Sequence, residues 1–108
     1  MRLLAPLLLV AVQALAADAT APLRVLIVSG GCCHDYAVQH DLIGKGLEAR
    51  ANVAVTHAYS AAKGTDVTFD LYRKPEWWKG FDVVVHDECA ADVTDKAYVA
   101  NILAAHRA

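Results

Sequence analysis

Arg24-Val25-Leu26-Ile27-Val28-Ser29, closed by Gly30-Gly31, is the stretch that decides the fold. A short unbroken run of β-branched and aliphatic residues ending in glycines fits a strand buried on both faces, the type found in parallel sheets. Phe81-Asp82-Val83-Val84-Val85-His86 is a second run of the same kind. Between them, Asn52–Tyr59 alternates, with Val53, Val55 and His57 on one side and Ala54, Thr56 and Ala58 on the other, as in a strand near a sheet edge.

The segments between and after these runs change period. Over Tyr36–Arg50, Val38 with Leu42 and Ile43 with Leu47 give the four-residue spacing of an amphipathic helix, with Asp35 as its N-cap. Thr94–Arg107 repeats the pattern through Tyr98 with Ile102 and Val99 with Leu103. There Thr94 is placed as the cap, Asp95 at the positive helix end, and Val93 is set to staple onto Tyr98. Residues 60–75 are polar and read as a loop, and Pro75–Gly80 reads as one helical turn with proline at its start and glycine at its end. Strands alternating with helices imply an α/β fold with right-handed crossovers. The expected architecture is an open, flavodoxin-like parallel sheet of strand order 2-1-3. The chain ends on a helix where the next parallel strand is due, so the order predicts a domain cut after its third strand and following helix, a fragment of a longer product.

Ahead of this domain, Arg2 precedes the apolar run Leu3–Leu15, and small residues stand at Ala14, Ala16, Ala17 and Ala19. A positive start, a short apolar core and an A-x-A site describe a secretory signal over residues 1–19, with cleavage after Ala16 or Ala19. The run is shorter than the roughly 20 residues a membrane span needs, and Pro6 and Gln13 interrupt it. The mature chain, residues 20–108, is expected in the periplasm or outside the cell, with no stable membrane anchor. The whole chain carries 10 basic and 12 acidic residues without a Lys/Arg stripe, which argues against a nucleic-acid partner.

Ligands of open α/β sheets sit beyond the carboxyl ends of the strands, where strand order reverses. In the order 2-1-3 the first and third strands flank that crevice. The first leads into Ser29-Gly30-Gly31-Cys32-Cys33-His34-Asp35, the third into His86-Asp87-Glu88-Cys89. The two polar clusters are therefore expected to share one mouth. His34, Asp35, His86 and Glu88 are the candidate acid/base residues. Gly30 and Gly31, which permit positive φ and close ligand approach, join Asp87 and Trp77 as candidate substrate-binding residues. Neither G-x-G-x-x-G nor a P-loop is present, so no nucleotide cofactor is expected. His34 with His86 or Glu88 lacks any ligand spacing such as H-E-x-x-H, so a hydrogen-bonded polar rim is preferred to a metal. His57 and His106 are left as surface or helix-end residues and His40 as solvent-facing.

The three cysteines are Cys32, Cys33 and Cys89. A ring joining neighbouring cysteines is strained, so Cys32 and Cys33 are not expected to bridge each other. Either could instead pair with Cys89, or stand near His34 at the helix start as a nucleophile.

Val25-Leu26-Ile27-Val28-Ser29-Gly30-Gly31-Cys32-Cys33-His34-Asp35-Tyr36, then Gln39-His40-Asp41, then Phe81 to Cys89 resemble the trehalose-utilisation, or ThuA-like, domain family over about residues 24–108. The resemblance implies a fold similar to class I glutamine amidotransferases and a role in carbohydrate metabolism, on trehalose or related oxidised sugars. No G-x-C-x-G nucleophile elbow occurs in this chain. The leading expectation is thus an exported protein acting on or binding a small sugar, with His34, Asp35, His86 and Glu88 lining the site. The rivals are a non-catalytic carbohydrate-binding module using the Trp77-Trp78 pair, and a thiol-dependent hydrolase or amidotransferase relative using Cys32 or Cys33.

Overall fold

The computed structural model describes residues 20–108; the leader expected over residues 1–19 lies outside the described residues. Strand β1 runs Leu23–Gly31, helix α1 Tyr36–Glu48, strand β2 Val53–Tyr59, strand β3 Val83–Cys89 and helix α2 Lys96–Ala104, with a single 3₁₀ turn at Asp70–Arg73. The three strands form one parallel sheet of order β2-β1-β3. This is the open, flavodoxin-like α/β arrangement the alternation of elements predicts. Central β1 is bracketed on both sides, and Ile27, Val28 and Ser29 are fully buried. A continuous apolar run is the composition such a position demands, because neither face of the strand meets water. Among the described residues no helix is long and apolar enough to cross a membrane.

The parallel register sets which side chains share a face. Leu26 pairs with Val84, Val28 with His86 and Gly30 with Glu88. Alternation then sends Val85, Asp87 and Cys89 to the opposite face, opposite Ile27, Ser29 and Gly31. The main core lies on the first face, where Leu26 and Val28 join Val67, Phe69, Tyr72, Trp77 and Tyr98. Helix α1 covers the second face over β1 and β2.

Several local expectations need correction. The segment 60–75 is more than a surface loop. It carries Val67, Phe69 and Tyr72 into the core, with Tyr72 only 1% exposed. Pro75–Gly80 is a run of turns rather than a helical turn, with Lys79 N–H donating to Glu76 O and Phe81 N–H to Trp78 O. In α1, Val38 is 52% and Leu42 67% exposed, while Tyr36 and Gly44 are buried. The helix therefore docks by the face roughly opposite the Val38–Leu42 stripe, the one that carries Tyr36, Ile43, Gly44 and Leu47. Gly44 lets it come close, since a Cβ there would lie 2.8 Å from the His57 ring. His40, expected in solvent, faces inward; its Nδ1 meets Tyr36 O at 2.6 Å and its ring stacks on Tyr59 at 4.6 Å. Asp35 occupies the N-cap position of α1 without a side-chain cap bond. At α2 the cap is Asp95, one residue later than expected, and its carboxylate accepts from Ala97 N–H and Tyr98 N–H. Val93 packs against the core beside Tyr98 all the same.

Candidate functional site

The adjacency of β1 and β3 is as expected, but β3 runs further than expected. His86-Asp87-Glu88-Cys89 is the second half of the strand, paired residue for residue with Val28–Gly31, and not a loop beyond it. A strand alternates its side chains, so the cluster expected at one mouth is divided between two faces.

On the α2 face, His86 and Glu88 meet. His86 Nδ1 lies 2.9 Å from Glu88 Oε1, and the same oxygen accepts from the Tyr72 hydroxyl at 2.6 Å. A carboxylate oxygen only accepts, which assigns the proton of His86 to Nδ1 and leaves Nε2 as the acceptor. That Nε2 lies 3.1 Å from His106 Nε2. The result is a chain of polar groups that starts at a largely buried carboxylate, passes through a partly exposed imidazole and ends on exposed His106. Burial and the neighbouring carboxylate push the Tyr72 hydroxyl well above its ordinary pKa, so it stays a proton donor to Glu88. Glu88 Oε2 is buried and has no hydrogen-bond partner among the described residues. Glu88 also borders a cavity of about 120 Å³ walled chiefly by Val67, Phe69, Val93, Tyr98 and Ile102.

On the α1 face, Asp87 is held by Ser29 and Gln39. The Ser29 hydroxyl donates to Oδ2 at 3.1 Å and the Gln39 amide to Oδ1 at 2.6 Å. Ser29 is wholly buried, so these bonds tie α1 to the centre of the sheet. His34 belongs to this side. Its ring meets Tyr36 edge-on at 5.6 Å and lines a shallow cleft with Gly31, Tyr59 and Lys63. Asp35 is exposed, and its carbonyl accepts from Val38 N–H and Gln39 N–H.

Of the four expected acid/base residues, the structure therefore joins His86 with Glu88 and places His34 and Asp35 on the other side of the sheet. The glycines admit close approaches of the protein's own backbone. A Cβ on Gly30 would lie 2.7 Å from Ser60 O, and one on Gly31 2.0 Å from Cys89 O; both have positive φ. Trp77, expected to face a sugar, is 4% exposed and donates its indole N–H to Asn101 O at 2.9 Å. It packs edge-on against Tyr72 at 4.7 Å and is a core residue.

Two residues of the His86 cluster escaped the sequence reading. Tyr72 sits in a polar stretch without periodicity, where only the spacing of Val67, Phe69, Leu71 and Tyr72 hints at burial. His106 follows the end of α2 and reaches His86 only through the tertiary packing of that helix, which rests on the 3₁₀ turn.

The cysteine expectation is also corrected. Cys32 and Cys33 are bridged to each other, and Cys89 is free. Positive φ at Gly30, Gly31 and Cys33 (82° at Cys33) shapes the turn that brings the neighbouring sulfurs together. No family model, curated protein or solved structure matches this chain.

Proposed function

We propose that this chain acts on or binds a small carbohydrate of the trehalose or keto-sugar class, using His86 and Glu88 for general acid–base chemistry. The observation that carries the reading is the Glu88–His86–His106 chain. A carboxylate that orients an imidazole, whose far nitrogen meets a second, solvent-exposed imidazole, is an arrangement that can take a proton from a hydroxyl or from carbon beside a carbonyl. The unpartnered Oε2 of Glu88 adds a buried acceptor for a polar hydrogen. The resemblance of the Val25–Tyr36 and Phe81–Cys89 motifs to ThuA-like domains supplies the substrate class. On this reading the protein is exported, and its mature N-terminus is Ala17 or Thr20. Burial of Trp77 removes one of the two rings on which the binding-module reading leaned, and while Cys32 and Cys33 are bridged to each other neither sulfur is a nucleophilic thiolate.

The test is NMR titration of the full chain with trehalose and with a keto-disaccharide. Saturable shifts centred on the His86 and His106 ring signals are expected, lost in His86→Ala with the remaining spectrum unchanged. Absence of any shift with either sugar would sink the reading.

A further inference from the structure

The three sulfur atoms stand apart from the His86–Glu88 cluster, on the other face of β3. Cys89 is the last residue of that strand and pairs with Gly31, so the chain immediately after β1 is laid against it. Cys32 N–H donates to Cys89 O at 3.3 Å. Gly31 makes this approach feasible, because any Cβ there would strike the Cys89 carbonyl. The free Sγ of Cys89 consequently lies 3.4 Å from Cys32 Sγ, and all three sulfurs fall within 4.8 Å of one another. Cys32 and Cys89 are half-buried, whereas Cys33 is exposed.

We propose that Cys32, Cys33 and Cys89 form a thiol–disulfide exchange centre in which Cys89 moves the bridge from Cys32–Cys33 to Cys32–Cys89 and delivers Cys33 to solvent as a reactive thiol. In the step, the Cys89 thiolate attacks Cys32 Sγ, the new Cys32–Cys89 bond forms, the Cys32–Cys33 bond breaks, and Cys33 leaves as thiolate. One disulfide and one thiolate stand on each side, so no external oxidant or reductant takes part. The released Cys33 lies just ahead of helix α1, whose positive end favours a thiolate there. The contact with Cys32 makes that the sulfur attacked and exposed Cys33 the one released, once the Cys89 side chain rotates into line with the Cys32–Cys33 bond, since three sulfurs within 4.8 Å of one another are not collinear.

The experiment uses the full chain purified without reductant. The protein is alkylated with iodoacetamide at mildly alkaline pH, acid-quenched, digested and mapped by mass spectrometry. Label shared between Cys33 and Cys89, with both Cys32–Cys33 and Cys32–Cys89 linked peptides present, is expected. In Cys89→Ser the label on Cys33 should vanish. Cys33→Ser treated with oxidised glutathione should form the Cys32–Cys89 bridge with release of reduced glutathione. Label confined to Cys89 in the wild type overturns the proposal, as does label on Cys33 in Cys89→Ser. The wild-type mapping needs no variant to fold. Its repeat in guanidinium separates exchange guided by the fold from random scrambling, and a Cys32–Cys89 bridge seen only in guanidinium also overturns the proposal.

Discussion

Nδ1 of His86 and Oε1 of Glu88 lie 2.9 Å apart, two residues apart on one face of β3. The strand period alone puts them side by side, and Tyr72 reaches the same oxygen from the 3₁₀ turn. Glu88→Gln keeps the shape of the side chain and removes the charge that orients the imidazole. On the proposed chemistry, turnover of a keto-sugar should fall about 10²–10⁴-fold with KM little changed. Equal turnover in variant and wild type would remove Glu88 from the mechanism.

Trp77 and Tyr72 should behave as structural residues when stability is measured. Trp77→Ala empties the space between Tyr72 and α2 and leaves Asn101 O without its indole donor, so urea unfolding should show a loss of about 3–5 kcal/mol. Tyr72→Phe keeps the ring and deletes one donor to Glu88, with an expected loss of about 1–3 kcal/mol. If Trp77→Ala unfolds at the wild-type denaturant midpoint, its place in the core is wrong.

Leu42 belongs to the outward face of α1 despite its apolar spacing with Val38. Leu42→Gln should therefore change stability by no more than about 0.5 kcal/mol, and Val38→Gln likewise. Chemical denaturation of the two variants checks this, and a large loss in either would restore the helix face that periodicity alone suggests.

Arg24 and Asp82 join the start of β1 to the approach to β3 by a forked pair, with Nη2 to Oδ1 at 2.9 Å and Nε to Oδ2 at 3.1 Å. The Arg24 side chain and its backbone N–H hold the Asp82 carboxyl down to about 2, from 3.8. A carboxyl depressed in the folded state stabilises at every pH above its unfolded value and loses that contribution as pH falls from 3.8 toward 2. Asp82→Asn should accordingly lower the thermal midpoint at neutral pH by a small amount, since the pair is exposed and screened by salt. Melting curves of wild type and variant should converge near pH 2. A gap that widens on acidification would contradict the assignment.

Much of the fold was legible in the chain because burial on both faces leaves a composition. Val25–Val28 and Val83–Val85 are continuous apolar runs, and Val53–Tyr59 alternates as an edge strand does. Those patterns, with a helix between β1 and β2, were enough for a parallel sheet of order 2-1-3. They also put Glu88 and His86 next to the carboxyl end of β1. Tertiary structure decided which residues share a face. The pairing of β1 with β3 continues through Gly31 and Cys89, so the polar tail of β3 alternates: Asp87 and Cys89 share the α1 face with His34, while His86 and Glu88 point to the other. Register at a strand's end depends on hydrogen bonds to a neighbour distant in sequence, and local pattern carries no trace of them. The same holds for Tyr72, Trp77 and His106, whose positions follow from the packing of α2 and the 67–72 segment on the sheet. It holds too for the sulfurs, since three positive φ angles and one close approach to Cys89 O, not the spacing of the cysteines, bring Cys32, Cys33 and Cys89 together.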